Sequence, residues 1–418
     1  MVDRRTPLTR RAWSWMVALV LVRALALVAS VSDHRPLTGD EPIYDGVARS
    51  LLAGTGFTHH GAPWVMKPPG WVIVLAGIRA VAGDHVRAGV LVQGLFDAGT
   101  ILLGALLARR LFRSSRAGWI AFALMAVWPP FLRESRFLQT EPMFTLAVML
   151  LATAFVGFVE SPTMRRAALT GAAAGLAALV RPNGILTLVG LVGSAYLIDR
   201  RARAPILRYV VMALCCALVL SPWTIRNARV FHAFIPVSIG TGEFFYMGST
   251  PETEGRWDHV KWEGLRGRVI EAETRRLGRT PNVLEQDHAL LVAGMAAWQT
   301  DPATQFRIWM LRVFRLVAVP VGPERFALRV GFLIAILLLD ALALWGAFGA
   351  FGDTEGNGRM AAVFLLAVVF NALALSVFLT ASRYIEPFRA LMIVVAAGGA
   401  TRLPSLAQRK SPIVLGGT

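Results

Sequence analysis

The chain has 418 residues, 55% of them hydrophobic and only 17% charged, with a mean hydropathy of +0.55, a balance too apolar for a soluble enzyme of ordinary domain size. A formal charge of +17 and a pI near 11.3 would suit a nucleic-acid partner, but the arginines fall in short blocks between apolar runs, as in the loops of multi-spanning membrane proteins, so the charge orients the chain and nucleic acid is excluded. The two cysteines, Cys215 and Cys216, are neighbours inside an apolar run, which excludes a disulfide framework and a thiolate metal site.

Taken in chain order, the run from about 12 to 31 is apolar apart from Arg23 and long enough to span. No small-residue cleavage site follows it, so it reads as a retained first helix. The next segment, 32–87, is a long external loop with two amphipathic pieces. Within it, 68–83 is apolar but short; counting it as a span would put the block "RRLFRSSR" (Arg109 to Arg116) outside, so it is expected to lie at the outer face as an interfacial helix. Further spans are expected near 88–108, 117–132, 141–159, 167–181, 184–198, 206–224, 328–350, 360–380 and 385–401, about ten in all. The start "DRRTPLTRR", the block at Arg109, "MRR" at Met164, "DRRARA" at Asp199 and the tail after Thr401 then face the cytoplasm, and 352–359 joins them by alternation. The fold class is an all-α polytopic membrane protein in three parts: an N-terminal transmembrane module over 1–222, an external helical segment over 223–327, and C-terminal transmembrane helices over 328–418. Helical patterns near 264–277 and 283–298 fall in the middle part, and its end, "FRIWMLRVFRLVAVP", suits a helix lying on the outer leaflet. No internal repeat of the transporter kind is visible.

With sidedness set by arginines, the unusual polar residues sort onto the outer face. Asp40, Glu41 and Lys67 lie in the first external loop, and Arg133, Glu134, Arg136 and Glu141 flank the second, in "RESRFLQTEP". Arg181 marks the third in "VRPNG", Arg226 opens the fourth in "SPWTIRN", and Arg383 with Tyr384 forms the fifth in "SRYIEP". Singly, each has a plain structural explanation. Asp40 and Glu41 before Pro42 fit a helix N-terminus, Lys67 a snorkelling lysine, and Arg181 a cation ending a helix. Asp97, Asp340 and Asn371 lie inside spans, where polar side chains pack helices together. His59 and His60 are adjacent, project differently and lack a third ligand at a recognised spacing, so no metal is supported. Collectively, carboxylates and cations converging on one membrane face describe a site that handles both a proton and an anion, such as a lipid-linked phosphate.

The stretches "GDEPIYDGVARSLLAGTGF", "MKPPGWVIVLAGI", "FLRESRFLQTEPMFTL", "LVRPNGIL", "SPWTIRNARVF" and "SRYIEP", in that order, resemble the bacterial membrane glycosyltransferases of the GT-C superfamily, in the branch related to protein O-mannosyltransferases and lipid A aminoarabinose transferases. The resemblance implies a sugar taken from a polyprenyl-phosphate donor in the bacterial inner membrane, on its periplasmic side, and passed with inversion to an envelope acceptor. It implies Asp40 as the acid that activates the acceptor, supported by Glu41. Lys67, Arg383 and Tyr384 would sit near the carrier phosphate, and Glu141 would hold sugar or acceptor; Arg181 and Arg226 are further phosphate candidates. Some relatives carry an acid where this chain has Met66, so the resemblance makes no cofactor certain and leaves a divalent metal unsupported. A nucleotide-sugar site is not needed, and no glycine-rich phosphate loop is present. Two-carboxylate hydrolysis through Asp40 and Glu141 would waste an activated donor. The rival from another class is a transporter or flippase of a lipid-linked anion, which calls for ionisable groups spread through the membrane.

Overall fold

The computed structural model describes residues 9–254, 258–318, 326–351, 357–378 and 381–402. Within them the chain is helical apart from one small hairpin. α1 (Arg10–Ala29) leads to α2 (Glu41–Leu52), the two-residue strands β1 (Thr58–His59) and β2 (Ala62–Pro63), and α3 (Pro69–Ala82). Then come α4 (Val86–Phe112), α5 (Ser115–Ala126), α6 (Pro129–Glu134), α7 (Glu141–Glu160), α8 (Met164–Val180), α9 (Asn183–Ile198) and α10 (Ile206–Phe231). The middle segment forms α11 (Thr241–Gly248), α12 (His259–Leu277), α13 (Val283–Thr300) and α14 (Pro302–Ala318), and the last part forms α15 (Phe326–Phe351), α16 (Asn357–Ser376) and α17 (Glu386–Ala400).

Each expected span is helical in the described residues, although 117–132 is divided between α5 and α6; α1, α4, α7, α10 and the stretches Val330–Gly349 and Arg359–Ser376 are long and apolar enough to cross a membrane, while α5, α8, α9 and α17 are shorter. The chain is a polytopic helical membrane protein. α5 is shorter than expected because Pro129 and Pro130 follow it: proline supplies no N–H to the preceding turn, so the chain breaks at Trp128 and restarts as α6. The centre of the bundle is α17, in which every residue from Glu386 to Gly399 is buried among α4, α5, α7, α15 and α16. A helix apolar on all sides belongs in such a place. Close approach is made by glycine. A Cβ at Gly171 of α8 would lie 1.9 Å from the Met212 carbonyl oxygen of α10, and one at Gly175, a turn later, 2.9 Å from that of Cys216; small residues four apart let membrane helices touch through their backbones. Pro222 sits inside α10, where the Ser221 hydroxyl donates to the Leu218 carbonyl (2.8 Å), supplying the hydrogen bond that the proline N cannot.

Alternating helix directions gather the arginine blocks at one end, where Arg110 pairs with Glu160 and Arg166 caps the Gly157 carbonyl. The loops of the candidate site lie at the other. There α3 is the short apolar segment expected at the interface, fourteen residues long and packed on α2 and α8. The sequence offered no sign of the hairpin, whose turn has positive φ at His60 (49°) and Gly61 (78°), the backbone of a tight two-residue turn. α12 begins at His259, earlier than its pattern predicted, because Asp258 caps it through the Lys261 N–H. α14 forms as expected, but it does not simply rest on a leaflet: Gln305, Ile308, Arg312 and Leu316 form a buried stripe, and Arg312 donates to the Val377 and Phe378 carbonyls. The tail after Arg402, the start 1–8 and the segment 352–356 lie outside the described residues.

Candidate functional site

Asp40 stands one residue before α2, at the position of a cap, yet its side chain makes no capping hydrogen bond and its backbone is already helical (φ −81°, ψ −10°). Capping does not explain it. Its carboxylate instead faces two cations: Oδ1 lies 3.6 Å from Lys67 Nζ and Oδ2 is 3.2 Å from Arg383 Nη2. Lys67 is held where the extended chain before Pro68 and Pro69 turns into α3, with its ammonium over the Phe244 ring of α11 at 5.7 Å. Arg383 lies in a short 3₁₀ turn, Ser382–Tyr384, just before the buried α17. It donates to Gln139 Oε1 (2.7 Å) and approaches Glu141 Oε1 (3.5 Å).

Glu141 opens α7 and is 2% exposed. Arg181, at the end of α8, donates to Glu141 Oε1 and to the Thr140 hydroxyl, each at 2.7 Å. The Tyr384 ring lies beneath both guanidiniums, 5.2 Å from Arg181 and 5.5 Å from Arg383. Four external loops distant in sequence are thus joined in one network of Asp40, Lys67, Glu141, Arg181, Arg383 and Tyr384. The three cations face two carboxylates, which leaves an uncompensated positive charge for an incoming anion. Burial works to raise the Asp40 carboxyl, but Lys67, Arg383 and Arg181 overcome it and hold the group below its ordinary value. Arg383 is shifted up: burial opposes its charge, and Glu141, Tyr384 and Asp40 more than restore it.

Two expected members stand apart. Glu41 is fully buried and turned away from Asp40. Its oxygens accept from both Nη atoms of Arg35 (2.9 and 2.5 Å), from the Thr38 N–H and hydroxyl (2.9 and 3.2 Å) and from the Leu138 N–H (2.7 Å). A carboxylate so occupied fixes the loop that carries Asp40 and supplies no free oxygen to a substrate. Arg226 donates to the Phe57 and Trp64 carbonyls (2.9 and 3.1 Å) and stacks over Trp223 at 4.9 Å, so it ties α10 to the hairpin. The sequence reading missed Gln139, which orients Arg383, and Tyr44, which is buried on α2 and interacts electrostatically with Lys67, Asp40, Arg181 and Glu141. Tyr44 carried a signal, being a polar-tipped residue one turn after Asp40; Gln139 carried none. Met66 offers no hard-cation donor, and among the described residues no group of three metal-ligating side chains comes together.

This is a helical membrane protein whose polar centre joins loops at one end of its bundle. Residues 66–225 match the family described as dolichyl-phosphate-mannose-protein mannosyltransferase; Lys67, Glu141 and Arg181 fall inside that match, Asp40 and Arg383 outside. The chain is 25% identical over 228 residues to an undecaprenyl phosphate-alpha-4-amino-4-deoxy-L-arabinose arabinosyl transferase of Pseudomonas fluorescens, covering 52% of this chain and 40% of that protein. It is 27% identical over 226 residues to a transferase of the same name from Pseudomonas paraeruginosa, with the same shares. The matched stretch therefore spans well under half the length of these relatives. Among solved structures it is similar to ArnT from Cupriavidus metallidurans bound to undecaprenyl phosphate, with TM-score 0.45 and 18% identity over 97% of this chain and 82% of that one. The resemblance read from the sequence agrees with these matches: over about half its length the chain is similar to aminoarabinose transferases.

Proposed function

We propose that the chain is a membrane glycosyltransferase of the GT-C type, moving a sugar from a polyprenyl-phosphate donor to an envelope acceptor on the periplasmic face. The observation that carries this reading is the Asp40 carboxylate held between Lys67 and Arg383 at 3.6 and 3.2 Å, with a net positive charge around it. A glycosyl phosphate places its anomeric carbon next to its phosphate. Cations that hold the phosphate at Lys67 and Arg383 therefore bring that carbon to Asp40. Asp40 takes the proton of the acceptor oxygen or nitrogen as it attacks, the bond to the phosphate oxygen breaks, and the two cations neutralise the charge that develops on the departing lipid phosphate. Attack from the side opposite the leaving group inverts the anomeric centre. Arg181 adds to the field through Glu141, and Glu141 keeps Arg181 and Arg383 aligned. The relatives' names, which specify an undecaprenyl-phosphate-linked sugar, support this donor class.

The test is glycosyl transfer from a panel of polyprenyl-phosphate sugars in proteoliposomes, comparing the wild type with Asp40→Asn at equal folded yield. Transfer in the wild type and a loss of about 10²- to 10⁴-fold in the variant is the expected result for a proton-transfer group. If no donor is consumed but labelled lipid headgroups cross the bilayer, and Asp40→Asn leaves that crossing intact, the chain is a transporter instead.

A further inference from the structure

On the far side of the Glu41 contacts lies a second polar feature that the reaction does not use. It is a groove of about 850 Å³ between the end of α1 and α6, lined by Arg23, Arg35, Arg133 and Arg136 above Leu27 and Leu132. The guanidiniums are preset. Arg35 and Arg133 both stack on the Phe137 ring, at 5.6 and 5.7 Å, and Arg136 is anchored by the Ser30 carbonyl (3.1 Å). Three of the four are paired with carboxylates: Arg23 with Asp97, Arg35 with Glu41, and Arg133 with Glu134. Arg136 has no carboxylate partner among the described residues, and burial together with the nearby Glu141 pushes the Glu134 carboxyl up to about 7, so the groove carries a surplus of positive charge. Two buried nitrogens on its wall, Arg23 Nη2 and Arg35 Nε, have no acceptor in the protein, and buried donors ordinarily find one. Deeper along α1, a membrane-spanning helix, the side that carries the groove-lining Ala26 bears the exposed Leu19 and Val22 two turns and one turn earlier.

We infer that this groove seats the headgroup of an anionic glycerophospholipid from the adjoining leaflet, its phosphodiester on Arg136 and its acyl chains along α1. The match is one of charge and shape. A phosphodiester bears a negative charge that this surplus answers. A free anion would have no use for the apolar floor. The occupant also bears on the reaction site, because Arg35 donates both to the Arg136 carbonyl (3.0 Å) and to Glu41, and Glu41 fixes the loop that carries Asp40. The inference concerns a lipid other than the donor, and its test reads binding rather than transfer.

Full-length protein in neutral detergent is titrated with phosphatidylglycerol or phosphatidylcholine of matched chains, and the complexes are counted by native mass spectrometry. One arginine facing an anionic headgroup contributes about 1 kcal/mol, so the wild type is expected to prefer phosphatidylglycerol about fivefold. Arg136→Gln abolishes that preference, Arg136→Lys retains most of it, and Leu132→Trp, which fills the groove without altering its charge, reduces binding of both lipids. A wild type with no preference overturns the inference, as does a folded Arg136→Gln that keeps it. So does displacement of phosphatidylglycerol by an equimolar polyprenyl phosphate, which would make the groove part of the donor site. Should Arg136→Gln fail to fold, unchanged lipid binding by Leu132→Trp is the overturning result.

Discussion

Asp40 is an acid whose basicity is set by its neighbours, and this has a kinetic signature. In the free protein, Lys67, Arg383 and Arg181 hold its carboxyl below the ordinary value, so it is ionised at neutral pH but a weak proton acceptor. A bound donor phosphate would share those cations and release their hold, strengthening the base when the acceptor arrives. Because the depressed group is charged above its pKa and neutral below it, the acid limb of kcat/KM, which reports the free protein, is expected below the usual aspartate value of about 3.9. The limb of kcat, which reports the loaded protein, should lie higher; paired pH profiles check this, and coincident limbs would mean that the phosphate does not take up Lys67 and Arg383. Glu41, next door, should behave in the opposite sense to Asp40 in a melting experiment. Its carboxylate is buried and accepts five bonds, so Glu41→Gln strands Arg35 and is expected to cost about 3 kcal/mol, whereas Asp40, with a side chain 28% exposed, should change stability by less than about 1 kcal/mol as Asp40→Asn. Equal melting temperatures for the two variants would sink this division of labour. The sequence could not separate the pair: both acids precede a proline at a helix start, and only the fold shows that Glu41 accepts the Thr38 N–H while Asp40 makes no capping bond.

At the scale of elements, what could be read in advance was what depends on local pattern. The apolar helices and the two external helices at 264–277 and 283–298 follow from runs of apolar or periodic residues, and they form with 117–132 broken in two. What could not be read depends on partners far along the chain. The hairpin at Thr58 to Pro63 has too few residues to show a strand period, and the inward turn of Arg312 depends on carbonyls near the end of α16. The backbone contact of α8 with α10 is likewise invisible until both helices are placed, although Gly171 and Gly175 supply its means. It yields a prediction of opposite signs for one kind of substitution. Gly171→Ala places a methyl 1.9 Å from a backbone oxygen, which only movement of a helix can relieve, so a loss of about 1–3 kcal/mol is expected. Gly193 of α9 has nothing within 4 Å of an added Cβ, and Gly193→Ala should gain about 0.5–1 kcal/mol from helix propensity. Thermal melts in one detergent compare them, and a Gly171→Ala variant as stable as the parent would show that α8 and α10 do not touch through their backbones.

The candidate site is a property of the whole molecule, since Asp40 and Arg383 meet across 343 residues. No spacing rule reaches that far; the sequence could place both at one end only by deciding which way each helix runs, and it did so from arginine blocks. Those blocks gather at the end away from Asp40, and the bias of cytoplasmic loops toward Lys and Arg is the ground for proposing that Asp40 faces outside. Sidedness can be measured directly. With Cys215 and Cys216 replaced by alanine, His34→Cys and Met164→Cys each put one thiol at an exposed position, the first at the Asp40 end and the second at the arginine end. A membrane-impermeant maleimide added to intact spheroplasts is expected to label His34→Cys alone, with Met164→Cys reacting only after the membrane is opened. The reverse order would turn the chain over and put Lys67 and Arg383 in the cytoplasm. There, nucleotide-activated sugars are available to soluble chemistry, and a site that waits in the bilayer for a lipid-linked donor would lose its reason. Labelling at His34 alone keeps the donor phosphate on the side where a sugar already carried across the membrane is the activated form at hand, and it gives the Asp40 carboxylate access to acceptors that never enter the cell.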